Sequence, residues 1–214
     1  MTTPRRPSTD HPLGLRERKR RGTHRLLATC ALRLVAERGL DRVTVEDICN
    51  DAGVSPRTFF NYFAMKEDAL LLPYPETADA DATAARIEAA PAELSPLRAV
   101  VHAWGEEMAL VDADRDEWLA RVAVMAEHPA LIVRLGLLAA DEEKSAARAV
   151  GRRVGLAGDD PYGALVLYVA EAAYRACLEH WLRLDGATPF AALMADAVAT
   201  LSAGLPAPGR PAVQ

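Results

Sequence analysis

The 214-residue chain lacks the features that would place it in a membrane, outside the cell or among metal proteins. No apolar run approaches the roughly 18 residues that a membrane-spanning helix needs, and the first residues contain no apolar core of a signal peptide. The three cysteines, Cys30, Cys49 and Cys177, are far apart and form no CxxC pair. We therefore expect them to be small buried hydrophobic residues of a cytoplasmic protein that has no membrane partner, no metal and no cofactor.

Strand patterns and catalytic motifs are also missing. Nowhere does an alternating apolar pattern rich in β-branched residues persist, and no internal repeat is present. Four serines lack the flanking glycines of a hydrolase elbow: Ser55, Ser95, Ser145 and Ser202. We therefore expect no catalytic residue and no enzymatic activity. His102 and Glu106 lie one helical turn apart, but two ligands do not make a metal site.

Charge is distributed unevenly along the chain. The net charge is −5, yet the first 71 residues carry 13 Lys and Arg against 9 Asp and Glu, while the remainder carries 12 against 21. The densest basic segment runs from Arg16 to Arg25 and includes Arg20. A positive end joined to an acidic body suits a protein that docks on DNA phosphates in a defined orientation.

A short segment that begins at Thr44 has the signals of two helices separated by a tight turn. Thr44 and Asp47 form a capping arrangement, and the apolar spacing that follows gives the first helix one buried face. Gly53 suits a left-handed turn. Ser55 and Pro56 then restart a helix, with a hydroxyl cap and a proline in the first position. This order predicts a helix-turn-helix.

The first third of the chain, from about Leu15 to Leu72, resembles the DNA-binding region of the TetR family of transcriptional regulators. The stretch that carries the resemblance is AERGLDRVTVEDICNDAGVSPRTFFNYFAMKEDALL, Ala36–Leu71. The resemblance implies an all-α fold of about nine helices. It has an N-terminal three-helix helix-turn-helix domain and a C-terminal helical ligand-binding and dimerisation domain. It also implies a homodimer that binds double-stranded operator DNA of palindromic or pseudo-palindromic sequence.

The remaining pattern is helical. Helices are predicted at about 15–38, 66–72, 83–89, 95–111, 114–128, 129–154, 160–184 and 188–205. Four parts are expected: a disordered basic arm (1–14), a DNA-binding domain (15–72), a ligand-binding and dimerisation domain (73–205) and a disordered tail (206–214).

The predicted reading helix carries side chains suited to base edges. Arg57 and Asn61 are four residues apart and share a face, with Thr58 and Tyr62 beside them. Arginine can fork onto the O6 and N7 atoms of guanine, and asparagine suits adenine. Phe59 and the aromatic residue four positions later should point inward.

Other contacts to DNA follow from the resemblance. It implies that Phe60 lies along the groove, although core packing is an equal alternative for this ring. It also implies that Tyr62 and Lys66 hold phosphates. Thr44 can bind a phosphate through its hydroxyl group and the backbone N–H beneath it. Three more residues complete the predicted DNA-binding set: Ser55, Arg16 and Arg20.

The last two predicted helices, residues 160–205, suit a subunit interface. The first is apolar around most of its circumference, so it should be buried on two sides. Small alanines in both helices would let two copies approach closely and form a four-helix bundle. The alternative is that both helices fill the core of one chain.

Large apolar residues on the middle helices could surround a ligand: Trp104, Met108, Trp118, Met125 and Leu131. The resemblance implies a small-molecule cavity here, and plain core packing is the alternative. The segment Trp118–Leu135 resembles the subgroup of mycofactocin-associated regulators. This implies an acyl-CoA-like effector as one option among apolar compounds.

Two functions fit these patterns. The first is a homodimeric repressor that leaves its operator when a small apolar effector binds. The second is a helical small-molecule-binding protein or enzyme with a vestigial helix-turn-helix. The intact reading face and the missing catalytic motifs favour the regulator.

Overall fold

The computed structural model describes residues 15–71, 81–156 and 160–206, which form eleven α-helices and one 3-10 turn and contain no strand. The helices are α1 (Leu15–Arg38), α2 (Val45–Ala52), α3 (Pro56–Phe60), α4 (Lys66–Leu71), α5 (Ala82–Ala89), α6 (Pro96–Ala103), α7 (Gly105–Ala113), α8 (Arg115–Glu127), α9 (Pro129–Arg153), α10 (Pro161–Arg183) and α11 (Phe190–Ser202). The 3-10 turn spans Leu40–Arg42. The all-α prediction is confirmed. The helices outnumber the expected nine, in part because the segment predicted as one helix over 95–111 divides at Trp104.

The chain divides into two compact units, Met1–Thr77 and Ala78–Gln214. The predicted arm (1–14) lies outside the described residues, as does the predicted tail beyond Pro206. The predicted domain boundary at 72–73 also falls in an undescribed stretch, residues 72–80.

Aromatic and aliphatic side chains form the core of the first unit. Phe59 and Phe63 are buried, as predicted, with ring centroids 5.5 Å apart. Leu27 of α1 and Ile48 of α2 are also fully buried in this unit, and α2 packs against both α1 and α3. His24 is also buried and packs on Phe63, with ring centroids 4.5 Å apart. The core therefore fixes α3 through its aromatic inner face.

The second unit is built around the long antiparallel neighbours α9 and α10. Gly163 in α10 lies so close to α9 that an added Cβ atom would stand 2.1 Å from the carbonyl oxygen of Ala147. Only glycine allows the two backbones to approach this closely. A second core cluster, which includes Trp181, Phe190 and Met194, joins α10 to α11.

The start of α11 is capped from another helix. Pro189 stands at the N-cap of α11 and provides no side-chain hydrogen bond. Instead, Asp112 of α7 accepts hydrogen bonds from the backbone N–H groups of Phe190 (2.6 Å) and Ala191 (3.4 Å). This contact ties α7 to α11.

The three cysteines are placed as the sequence pattern predicts. Cys30, Cys49 and Cys177 are free and buried, as predicted, and burial raises the pKa of each thiol, to about 12 for Cys30.

Among the described residues, no single helix has the length and apolar composition to cross a bilayer. The pair α8 and α9 passes that test only jointly, and its two helices meet at a bend of 108°.

Candidate DNA-binding surface and ligand cavity

The two helices of the predicted motif begin at the expected caps. The Thr44 hydroxyl oxygen accepts a hydrogen bond from the backbone N–H of Asp47 at 3.1 Å, and the Thr44 N–H donates to the Asp47 carboxylate at 2.9 Å. Gly53 ends α2 at φ 66°, ψ 32°, the left-handed conformation expected for it. Ser55 then accepts a hydrogen bond from the N–H of Thr58 at 3.1 Å, with Pro56 in the first turn of α3.

The capping hydrogen bonds of Thr44 affect its predicted contact with a DNA phosphate. Its hydroxyl group also donates to the Asp47 carboxylate, at 2.8 Å. The hydrogen bonds from Thr44 hold the pKa of Asp47 below its usual value, so this carboxyl group stays ionised. Both donors of Thr44 are therefore engaged within the unit, and a phosphate would have to compete with Asp47 for them.

The predicted reading residues extend beyond the regular part of α3. Regular α-helix ends at Phe60, but Asn61 keeps helical dihedrals (φ −76°, ψ −13°) and its N–H donates to the carbonyl of Thr58 at 3.2 Å. The N–H of Tyr62 similarly donates to the carbonyl of Phe59 at 2.9 Å. Because the backbone continues as a tightened turn, Arg57 and Asn61 remain about one turn apart.

Three predicted reading residues are exposed: Arg57, Phe60 and Asn61. The Phe60 side chain is 57% exposed, so Phe60 is not a core residue. Its ring lies in a T-shaped arrangement with that of the buried Phe59, with ring centroids 5.6 Å apart. Neither Arg57 nor Asn61 makes a side-chain hydrogen bond to any described residue. Their polar groups are therefore available to a ligand. Thr58 is half-buried because it lies beside the Ser55 cap.

The predicted phosphate ligands occupy different environments. Tyr62 is half-buried and packs edge-on against His24, with ring centroids 6.0 Å apart. Arg16 and Arg20 are exposed on the first turns of α1. Lys66 is half-buried instead.

Lys66 has a structural task that the sequence did not suggest. Its ammonium group donates hydrogen bonds to the backbone carbonyls of Leu40 (2.7 Å) and Val43 (2.8 Å). A lysine ammonium group has three donors, so these bonds leave one for a phosphate. Lys66 therefore fastens the 3-10 turn to the start of α4.

The second unit contains a cavity of about 660 Å³ bounded by residues of α5 and α7–α10 together with Trp104. Its apolar lining includes Val122, Met125, Ile132, Leu135, Leu167, Leu178 and Leu182. Trp104 and Tyr174 add aromatic rings to the wall, with centroids 5.9 Å apart in a T-shaped arrangement. This volume lies in the range of small-molecule sites.

Two of the five predicted lining residues, Trp104 and Met125, lie in the wall of this cavity. Met108 and Trp118 belong instead to the core cluster around Trp181. Leu131 is 1% exposed at the start of α9 and does not contribute to the wall. Helical spacing alone could not separate residues that face a cavity from those that face a solid core.

Comparisons with known proteins find a family match in each of the two units. Residues 28–71 match the family described as bacterial regulatory proteins, tetR family, and residues 94–206 match the MftR C-terminal domain. The chain is also 32% identical over 191 residues to the HTH-type transcriptional regulator TcmR of Streptomyces glaucescens, covering 86% of this chain and 84% of that protein. The chain belongs to the TetR family of bacterial transcriptional regulators. The MftR-like C-terminal domain agrees with the subgroup resemblance noted in the sequence.

Solved structures show the same fold as this TetR-family chain. The fatty acid degradation regulator FadR of Bacillus halodurans has a TM-score of 0.56 at 17% identity, covering 86% of this chain and 96% of that one. FadR of Thermus thermophilus, a TetR family transcriptional repressor solved in complex with lauroyl-CoA, has a TM-score of 0.53 at 19% identity and covers 89% and 99%. At these identities the likeness concerns the fold alone.

Sequence reasoning missed the polar residues in the wall of the regulator's cavity. Six charged side chains line it: Glu107, Glu142, Glu143, Glu171, Arg175 and Glu179. A signal was present in α10, where Glu171, Tyr174, Leu178 and Leu182 recur at three- and four-residue spacing. Glu171 interrupts this otherwise apolar stripe, but a helix that is apolar around most of its circumference does not by itself indicate a ligand site.

The opposite side of α10 is exposed in the single chain. Leu165 is 61% exposed and Tyr168 is 57% exposed, whereas Leu167 and Ala170 on the inner side are buried. On α11, three alanines are exposed: Ala191, Ala192 and Ala195. The exposed positions of this helix pair thus include large apolar side chains and several alanines, together with charged residues such as Arg175.

Proposed function

We propose that this TetR-family regulator is a homodimeric repressor that binds a palindromic operator and is released by a small effector with an apolar body. The observation that carries the proposal is the exposed face formed by Arg57, Phe60 and Asn61 on a helix whose inner face is fixed by Phe59. An arginine that makes no side-chain hydrogen bond within the described part of the chain, placed beside an exposed ring and an amide, has the chemistry that reads base edges.

On DNA, the proposed roles divide into reading and positioning. Arg57 forks onto guanine, Asn61 binds adenine, and the exposed ring of Phe60 contacts a thymine methyl group. Tyr62, together with the remaining donor of Lys66, binds phosphate. The further phosphate ligands are Thr44, Ser55, Thr58, Arg16 and Arg20, and they set the register of the unit on the duplex.

The dimer is proposed to form through residues 160–205. Exposed Leu165 and Tyr168 on α10 give an apolar surface, and the exposed alanines of α11 let a second copy approach closely. Two copies related by a two-fold axis would bury this surface as a four-helix bundle. Two reading heads then match the two halves of a palindrome.

The effector is proposed to occupy the cavity of about 660 Å³ in the second unit. The effector must have a higher affinity for the protein conformation that cannot bind DNA than for the conformation that can. Only such a difference in affinity shifts the equilibrium between the two. An acyl-CoA-like compound is one candidate, and the Thermus thermophilus FadR of similar fold was solved with lauroyl-CoA.

The first experiment selects operator sequences from random duplex DNA with the purified protein. An enriched inverted repeat, bound well above the salt-sensitive background, is the expected result. Arg57→Ala should then weaken binding to the selected site by about 1–3 kcal/mol. Arg148→Ala is the matched control, because Arg148 is an exposed arginine on α9 in the other unit. The proposal fails if no repeat is enriched, or if both variants bind like the unchanged protein.

The second experiment measures the mass of the protein by sedimentation equilibrium. The unchanged chain should sediment as a dimer, and the double variant Leu165→Glu, Tyr168→Glu should sediment as a monomer because each carboxylate would be buried without a partner. Leu137→Glu is the control, since Leu137 is 68% exposed on α9. A double variant that stays dimeric would place the interface elsewhere.

A further inference from the structure

The cavity in the second unit has an unusual balance of charge for a site with an apolar wall. Five glutamates line it against one arginine, Arg175. Glu142 accepts a hydrogen bond from Thr83 at 2.5 Å, and Glu107 pairs with an arginine of α5 at 3.1 Å. Glu143, Glu171 and Glu179 make no hydrogen bond or ion pair to any described residue. Carboxyl groups that form no hydrogen bond or ion pair with a described residue therefore line the cavity from both α9 and α10, and Arg175 acts on one of them, Glu171, through its charge.

The aromatic part of the wall favours the same kind of ligand. Trp104 and Tyr174 both line the cavity, and the faces of such rings attract cations through their quadrupole. The Tyr174 hydroxyl group makes no hydrogen bond to any described residue, and burial raises its pKa, so the group stays neutral. Tyr174 lies one turn after Glu171 on α10, which places a carboxylate and a ring on one wall.

The size of the cavity indicates an organic molecule rather than a bare ion. A volume of about 660 Å³ exceeds what a hydrated metal ion needs, and most of the surface of its wall is apolar. Within the described ranges, no three His, Cys, Asp or Glu side chains are arranged to hold a metal ion. The wall thus offers apolar contact for a body and carboxylates for a charge.

We propose that the effector of this regulator is an amphiphilic organic cation, whose apolar body fills the cavity while its cationic group lies among the glutamates beside Tyr174. The inference rests on the proposed function and refines it by assigning the charge of the ligand. An anionic group in the same place would lie among five glutamates with one arginine, Arg175, in the same wall. Fatty acids and acyl-CoA compounds are therefore disfavoured inside this cavity.

Two carboxyl groups in the cavity wall titrate near neutral pH, so the affinity for a cation should depend on pH. Burial raises the pKa of Glu107 and that of Glu171 to about 7. The charged groups that act on these two carboxyl groups come from α5, α7, α9 and α10: Arg86, Glu106, Glu142, Glu143 and Arg175. Below neutral pH both carboxyl groups hold protons in the empty cavity, and a bound cation must displace them. Binding of a cation should therefore tighten as the pH rises through 7.

A matched series of ligands tests the charge directly. Decyltrimethylammonium, decanol and decanoate share a ten-carbon body and carry a positive, zero and negative charge, and the ammonium group does not titrate. Calorimetric titration of the full chain, below the micelle concentration, should give the tightest binding for decyltrimethylammonium and the weakest for decanoate. The affinity for decyltrimethylammonium should also rise by about tenfold between about pH 6 and about pH 8.

Variants assign the effect to the cavity. Glu171→Gln keeps the shape of the side chain and removes its charge. It should therefore lower the affinity for decyltrimethylammonium by about tenfold and leave the affinity for decanol nearly unchanged. Glu93→Gln is the matched control, because Glu93 is exposed and does not line the cavity. Equal losses in both variants would overturn the proposed site.

Three results would overturn the charge assignment: decanoate or lauroyl-CoA binding as tightly as decyltrimethylammonium, no saturable binding of any probe, or an affinity for the cation that falls with rising pH. These measurements contain no DNA. Operator binding and its loss in Arg57→Ala are measured without any probe, so a failure of the charge assignment would leave the repressor proposal standing. Conversely, a chain that binds the cation and selects no operator would refute the repressor alone.

Discussion

Gly163 gives the sharpest test of how the second unit is packed. An alanine there would place its methyl carbon 2.1 Å from the carbonyl oxygen of Ala147, 3.0 Å from the carbonyl carbon and 3.2 Å from the N atom of Gly151. All three atoms belong to the backbone of α9. No rotamer change can relieve the clash, so α9 and α10 would have to separate.

The expected loss of stability follows from two opposing effects. Overpacking a closely packed interior costs about 1–3 kcal/mol, and the upper value applies because both contact surfaces are backbone. Replacing glycine by alanine within a helix returns about 1 kcal/mol. We therefore expect Gly163→Ala to lower the free energy of unfolding of the second unit by about 2 kcal/mol.

Urea unfolding followed by tryptophan fluorescence measures this unit selectively, because Trp104, Trp118 and Trp181 all lie beyond Thr77. With a slope of about 2 kcal/mol per molar urea, the midpoint should fall by about 1 M. The protein concentration must be kept constant, since association shifts apparent stability.

Gly136→Ala is the control on the same helix pair. An added Cβ atom at Gly136 meets nothing within 4 Å, so this variant should gain about 0.5–1 kcal/mol from helix propensity. A Gly163→Ala protein that is as stable as the unchanged chain, or more stable, would refute the close approach of α9 and α10.

Two further predictions concern contacts that join distant parts of each unit. Lys66→Met should destabilise the first unit by about 2 kcal/mol, because two half-buried carbonyl hydrogen bonds to a charged donor are lost; far-UV circular dichroism during urea unfolding would measure this, and an unchanged curve would count against it. Asp112→Ala should destabilise the second unit by about 1 kcal/mol, because α11 loses its N-terminal acceptor. The fluorescence assay above detects that change, and Asp116→Ala serves as the control because the Asp116 side chain is 92% exposed.

The sequence by itself determined the helices and the turn of the DNA-binding motif. Caps and turns depend on residues only a few positions apart, so the roles of Thr44, Asp47, Gly53 and Ser55 could be read directly. Periodicity likewise separated the inner Phe59 from the exposed Arg57. The family resemblance supplied the order of the two domains, and the MftR-like match of residues 94–206 agrees with it.

Tertiary structure decided which side chains meet across the chain. Lys66 reaches Val43, 23 positions away, and Asp112 reaches Phe190, 78 positions away, and no local pattern encodes either contact. The ligand cavity is the clearest case. Spacing showed that Met108 and Met125 lie on apolar helix faces, but only the arrangement of the helices in space placed one in a solid core and the other beside a void lined by glutamates. Helical periodicity reports which face of a helix is buried, whereas the partner of that face is set by how all the helices pack together.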